Sequence, residues 1–144
     1  MTTSSNLTLT SEPKPAAADV EAVRAGLVAF NVRHVGREPS PGTVNLFLRD
    51  EAGQVVGGLL GWWRWGWLYV DKLWVADAHR QRGYGSQLLQ TAEAQAIAAD
   101  CTDAVLDTFS FQAQGFYERH GYAVYAALEG FPPDHRQLFL HKRL

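Results

Sequence analysis

Apolar residues alternate with polar ones, or recur at helical spacing, along most of this chain, and the pattern divides it into strands and helices. Asn6 to Thr10 alternate and predict a short edge strand. Ser11 to Pro15 (S-E-P-K-P) reads as a turn or linker because of its prolines. A helix starts at or near Asp19, with Val20, Val23, Leu27 and Phe30 along one face. The stretch from Gly36 to Gly42 carries two prolines and ends it. Thr43 to Arg49 and Gln54 to Leu60 read as strands joined at Asp50-Glu-Ala-Gly53, a hairpin turn. The long apolar strand Trp67 to Val75 follows, then a helix from Ser86 to Ala99 whose Leu88, Leu89, Ala92 and Ala96 share a face. Ala104 to Thr108 is a further strand. Gln112 to His120 is a short helix stopped by Gly121, a favourable residue just past a helix end. Tyr122 to Leu128 and Gln137 to Lys142 are the last strands, separated by the turn Glu129 to Asp134. The order β-α-β-β-β-α-β-α-β-β predicts an α/β layered domain with a mixed sheet.

Composition narrows the class without naming a function. A chain of 144 residues, 47% hydrophobic, is enough for one domain with a proper core. The expected layout is a disordered tail over 1–5 and one domain over 6–144. A net charge of −2 gives no basic balance that would favour nucleic acid. One cysteine, Cys101, excludes an internal disulfide and fits a reducing compartment. The polar start lacks the regions of a secretory signal, and no apolar run is long enough to span a membrane, so a cytoplasmic location is expected. His and acidic residues form no ligand-spaced cluster, so no metal is expected.

Chemistry concentrates at the junction Val75-Ala-Asp-Ala-His-Arg-Gln-Arg-Gly-Tyr-Gly-Ser86. A strand runs in and a helix runs out. The first N–H groups of a helix have no intrahelical partner, and the helix dipole adds positive partial charge there. Such a turn suits a phosphate or pyrophosphate. Gly83 and Gly85 let backbone approach a ligand closely, and Arg80 and Arg82 add cationic donors. Taken alone, the two glycines favour an ordinary strand-to-helix turn with a solvated basic face.

A second motif, Ser110-Phe-Gln-Ala-Gln-Gly-Phe-Tyr-Glu-Arg-His-Gly-Tyr122, follows the strand at Ala104. Together the two segments resemble the GCN5-related N-acetyltransferase (GNAT) superfamily. Arg80, Gly83 and Gly85 match its R-x-x-G-x-G/A turn. Ala113, Phe116, Tyr117, Gly121 and Tyr122 match its A-x-x-F-Y-x-x-x-G-F/Y helix. The likeness in element order extends from about Asn6 to Leu144. It implies a single-domain acyl-CoA N-acyltransferase fold: a mixed, mostly antiparallel sheet flanked by helices, whose central strands splay apart to admit acetyl-CoA as acetyl donor. Asp77 stands where the family often has Pro, and Ser110 where many relatives have Asn.

The resemblance also implies roles. Arg80, Gln81, Arg82, Gly83, Tyr84, Gly85 and Ser86 would bind pyrophosphate. Leu73, Trp74 and Val75 would pair with the pantetheine arm, with an oxyanion-type N–H near Val75. Ser110 and Phe116 would complete the donor site. Tyr117 is offered as general acid to the leaving thiolate, against packing beside Phe116. Asp71 is a carboxylate in an apolar strand, which is unusual unless it is paired or used. It reads as a general base, or as the partner of Lys72 or an arginine, on a strand face shared with Tyr69, Leu73 and Val75. His34, Trp65 and His135 are candidate contacts to the acceptor amine. The cluster Trp62 to Trp67 reads as an acceptor-pocket wall, as a homodimer contact, or as core alternation.

The expected function is transfer of acetyl from acetyl-CoA directly to a primary amine of a small molecule or protein, with a small-molecule or peptide amine as acceptor and without nucleic acid or membrane. The alternatives are a catalytically inactive acyl-CoA-binding regulatory module and a chromatin-type protein acetyltransferase. No basic surface or reader extension supports the last.

Overall fold

A computed structural model describes residues 6–37 and 39–144. The expected tail over 1–5 lies outside the described residues. The chain divides into two compact units, Met1–Glu38 and Pro39–Leu144.

The first unit contributes helix α1, Ala17–Val35. Gly36 ends it in the left-handed conformation, and its N–H returns to the Val32 carbonyl at 2.9 Å. The predicted stripe is present, but no residue of α1 is buried. Asn6 to Thr10 is not a strand, which corrects the expectation from its alternation. Its only large apolar side chains, Leu7 and Leu9, are almost fully exposed, and alternation without a paired edge does not make a strand.

The second unit is a six-stranded sheet in the order β1-β2-β3-β4-β6-β5. Its strands are β1 Gly42–Arg49, β2 Val55–Arg64, β3 Trp67–Val75, β4 Asp103–Phe109, β5 Ala123–Glu129 and β6 Arg136–Arg143. Every neighbouring pair is antiparallel except β3 and β4. Two helices complete it, α2 Tyr84–Ala98 and α3 Gln114–Arg119. The core lies between α2 and the sheet. Leu88, Leu89, Ala92 and Ala96 of α2 bury themselves with Val44, Leu59, Leu68, Val70, Ala104, Leu106, Leu138 and Leu140. Cys101 is part of that core, and burial raises its thiol pKa. One polar group is buried under α2. Glu93 accepts from the Tyr122 hydroxyl at 3.0 Å and from Lys142 Nζ at 2.8 Å. A buried carboxylate requires such partners.

Two features of β3 set up the site. First, its pairing with β4 covers only Trp67 to Val70, the last pair being Val70 with Leu106. From Asp71 and Asp107 onward the parallel strands part. Second, β3 carries a β-bulge. Leu60 of β2 pairs with Lys72, and Gly61 pairs with Val70, so Asp71 has no partner across β2. An extra residue switches the alternation of side chains and bends the strand. Before it, Leu68 and Val70 point into the core; after it, Leu73 and Val75 do. Asp71 therefore does not simply share a face with Tyr69, Leu73 and Val75, as unbroken alternation predicts. Gly61 sits opposite this bulge, where a Cβ would lie 2.7 Å from the Tyr69 carbonyl oxygen.

Candidate active site

The parting of β3 and β4 opens a cleft of about 840 Å³. One wall is β3 from Val70 to Val75, and the other is Asp107 and Thr108 of β4. The strand-to-helix turn from His79 to Ser86 closes one end, and α3 supplies Phe116 and Tyr117.

The turn leaves a run of backbone N–H groups unpaired among the described residues. After a short 3-10 turn at Asp77–His79, Gln81 and Gly83 both take positive φ, 59° and 83°. Gly83 is the N-cap of α2, and the first bond into the helix runs from Gln87 N–H to the Gly83 carbonyl, 3.0 Å. Among the described residues, no backbone acceptor meets the N–H groups from Gln81 to Ser86. Left-handed residues interleaved with ordinary ones turn successive N–H groups toward a common concavity. A Cβ on Gly83 would meet nothing within 4 Å, so the space before this backbone is open. Arg80 fixes the turn: its Nε donates to the Val75 carbonyl at 2.9 Å, and its guanidinium meets Asp77 at 3.1 Å.

Tyr117 is buried, and its ring packs edge-on against Phe116 and Tyr122. Burial, with the nearby Asp107 carboxylate, pushes its phenol up to about 12. The phenol is thus protonated at any physiological pH.

A cleft between splayed parallel strands, with an unpaired helix N-terminus at its mouth, is what the family pattern requires. The model of the acetyltransferase (GNAT) family matches residues 9–122. The chain belongs to the GNAT family. It is 42% identical over 95 residues to a blasticidin-S acetyltransferase of Streptomyces morookaense, covering 65% of this chain and 70% of that one. It is 36% identical over 123 residues to acetyltransferase Atu2258 of Agrobacterium fabrum strain C58, covering 85% of this chain and 89% of the relative. Among solved structures, an acetyltransferase from Bacillus cereus ATCC 14579 superposes with a TM-score of 0.81 at 34% identity, over 94% of this chain and 98% of that one. The mixed α/β sheet is the GNAT fold, and the protein is an N-acetyltransferase.

Within this GNAT cleft the predicted residues fall into two groups. Asp71, Leu73, Trp74, Val75, Arg80, Gln81, Gly83, Tyr84, Gly85, Ser86, Phe116 and Tyr117 all line it. Gly85 sits against the Phe116 ring, which a Cβ would meet at 3.4 Å. The Ser86 hydroxyl pairs with His120 at 2.8 Å and so ties α2 to the end of α3. Asp71 is exposed and its carboxylate meets Lys72 Nζ at 2.6 Å, an ion pair between sequence neighbours.

The other residues stand elsewhere. Arg82 is exposed and is not part of the lining. Ser110 is committed to the sheet end: its Oγ accepts from the Arg136 N–H at 3.0 Å, and its own N–H donates to the Arg136 carbonyl at 2.9 Å. It does not reach the cleft lining. Trp65 lies in the tight turn between β2 and β3, at the end of β3 away from the cleft, with φ 47° and its indole N–H buried without a partner among the described residues. The aromatic cluster is therefore a hairpin end, not a wall of this cleft. Trp62 stacks on Tyr69 at 5.0 Å, and the Arg64 guanidinium lies 4.8 Å from the Trp62 ring centroid. His135 packs edge-on against Phe111, which does line the cleft. His34, on α1, stacks on Phe30 at 4.1 Å, and its Nδ1 lies 2.8 Å from the Phe30 carbonyl.

Sequence reasoning missed Asp107. It lines the cleft on β4 just past the last pair with β3, opposite Asp71. The Tyr69 hydroxyl donates to its Oδ1, and Gln137 Nε2 donates to its Oδ2 at 3.0 Å. The Tyr69 phenol is strongly raised in pKa, first by that hydrogen bond and then by burial. The signal existed: a carboxylate inside the apolar run Ala104 to Thr108 is as unusual as Asp71 in its own strand. Gln112 was missed too. Its Oε1 accepts from the Thr108 hydroxyl (3.0 Å) and the Phe109 N–H (2.9 Å), which shapes the cleft where β4 ends. Among the described residues no His, Cys, Asp or Glu group is placed to hold a metal, and no helix is long and apolar enough to cross a membrane.

Proposed function

We propose that this enzyme transfers an acetyl group from acetyl-CoA directly to the primary amine of a small molecule. The observation that carries the reading is the row of unpaired N–H groups from Gln81 to Ser86 at the mouth of the strand split, with open space before Gly83. Those groups fit a pyrophosphate. Leu73 to Val75 fit an extended arm, because past Val70 that edge of β3 has no strand beside it. Acetyl-CoA, when bound, supplies the acetyl group as a thioester. The chain's own residues then handle two protons. Asp71 accepts one from the incoming ammonium, directly or through water, so that the nitrogen has its lone pair. Tyr117 gives its phenolic proton to the sulfur as the C–S bond breaks, and the second proton of the nitrogen, shed as the amide forms, returns to the phenol through water. A phenol held protonated by burial keeps that proton until the thiolate forms. No enzyme nucleophile is needed.

A small-molecule acceptor is favoured by the likeness to the blasticidin-S acetyltransferase. Residues 6–144 act as one acyltransferase domain in this reading, since the family match runs through both compact units. Its place of action is the cytoplasm, where this donor is at hand.

The test combines a thermal shift with acetyl-CoA and free-thiol release with blasticidin S and a panel of primary amines. Donor binding is expected to add about 2.7 kcal/mol at one hundred times Kd. Thiol release that depends on the amine separates an enzyme from a module that only holds acyl-CoA. No shift at millimolar acetyl-CoA and no thiol release would remove the proposal.

A further inference from the structure

We propose that Asp107 is a specificity-determining residue, a fixed anionic seat for a second cationic group on the acceptor, so that the enzyme prefers diamines to monoamines. This rests on the acetyl-transfer reading above. Asp71 and Asp107 are the first residues beyond the last β3–β4 pair, one on each strand, and both line the cleft. They are held differently. Asp71 is exposed and meets only its flexible neighbour Lys72. Asp107 is half-buried and held at both oxygens, by Tyr69 and by Gln137.

That difference assigns different work. Asp71 on its exposed strand edge can reorient toward an incoming amine, whereas Asp107 is fixed in place by its two donors. A carboxylate has about four lone-pair sites, so two donors leave capacity for a cation. Tyr69 is itself braced by Trp62, stacked on it at 5.0 Å, so the seat is rigid. The reacting amine must lose its proton, and a strong anion beside it opposes that. A second, non-reacting cation has no such conflict. Adjacent strands lie roughly 5 Å apart where they pair and further apart where they part. The second cation therefore sits only a few bonds from the amine that is acetylated.

The experiment compares 1-aminobutane with 1,4-diaminobutane as acceptors, with acetyl-CoA as donor and thiol release as readout. Wild type is expected to favour the diamine in kcat/KM by about 10–100-fold, the scale of one charge-assisted hydrogen bond. Asp107→Asn is expected to bring that ratio close to one, through a rise in KM for the diamine much larger than any change in KM for acetyl-CoA. Asp107→Glu keeps the charge and is expected to keep a clear diamine preference, and it carries the test if the Asn variant does not fold. A ratio near one in wild type or in Asp107→Glu, or a ratio undiminished in folded Asp107→Asn, overturns the inference. Wild type that uses neither amine overturns it as well. The acetyl-CoA thermal shift on the same sample then tells whether the donor-binding reading survives.

Discussion

Removing one oxygen from Tyr117 tests chemistry and burial together. Tyr117→Phe keeps the ring and its edge-on packing with Phe116 and Tyr122. It deletes a phenol raised from 10.0 to about 12, chiefly by burial and then by Asp107. In the unfolded chain the phenol loses its proton near its ordinary pKa; in the fold it holds on longer. The stability tied to this proton is therefore complete below about pH 10 and is lost as pH rises toward about 12. Two pKa units correspond to about 2.7 kcal/mol in full, of which about 1.4 kcal/mol is gone at pH 11. Tyr69 and Tyr122 are raised as well, so wild type loses more than this single share. Urea unfolding at pH 8 and pH 11 gives the comparison, with Tyr117→Phe losing about 1.4 kcal/mol less than wild type between the two. In the same preparation kcat is expected to fall on the order of 10²–10⁴-fold, with acetyl-CoA binding kept. An unchanged kcat, with the chemical step shown to be rate-limiting, would make Tyr117 a packing residue. An equal pH sensitivity in the two proteins would refute the burial argument.

Four other perturbations reach different parts of the molecule. Gly83→Val meets no clash but forces a branched residue to a φ of 83°, so the free protein should lose about 1–2 kcal/mol and the acetyl-CoA thermal shift should vanish. Gly61→Ala puts a Cβ 2.7 Å from a backbone oxygen beside the bulge and should cost about 1–3 kcal/mol in urea unfolding. Lys142→Met strands the buried Glu93 carboxylate and should cost about 3–5 kcal/mol, read as a fall in Tm, whereas a cost below about 1 kcal/mol would mean that Tyr122 alone satisfies Glu93. Asp71→Asn should lower kcat/KM near neutrality and flatten the acidic limb of its pH profile, with activity returning at higher pH; a wild-type profile in the folded variant would assign Asp71 to its pair with Lys72.

Local signals in the sequence carried well where one segment decides its own structure. The strand into Val75, the turn with Gly83 and Gly85, and the helix behind it all form, because left-handed turn residues and apolar periodicity act over a few positions. Reading failed where a second segment decides. Asn6 to Thr10 has the alternation of a strand and forms none. The strand expected to end at Leu60 runs on to Arg64, since its register with β3 continues through the tryptophans to Trp67. The position of Ser110, a motif residue, is set by a strand distant in sequence, through the bond that its Oγ accepts from the Arg136 N–H. The bulge at Asp71 leaves no mark in a stretch that still reads as plain strand, because a bulge is a property of the pairing with β2.

The bulge and the split explain each other and the chemistry between them. If Asp71 were paired like its neighbours, with no bulge, Lys72 and Trp74 would follow Val70 into the core and Leu73 and Val75 would face away. Burying Lys72 unpaired would be costly, so unbroken alternation is closed to this sequence. Leaving Asp71 unpaired in a bulge puts Leu73 and Val75 inward and leaves Lys72 and Trp74 exposed. The bulge also re-aims the strand, and it lies just where pairing with β4 stops, at Val70 and Leu106. The backbone beyond that point has β2 on one side and, among the described residues, no strand on the other, the edge an extended ligand can use. The bulge thus keeps the core apolar and lies where the cleft begins, with the Asp71 carboxylate in the cleft lining. Deleting Asp71 should therefore do what Asp71→Asn does not: let β3 pair with β2 without a bulge, with Lys72 still outward and Leu73 and Val75 still inward, so that the core and the fold are kept while the re-aimed strand edge, and with it activity, is lost.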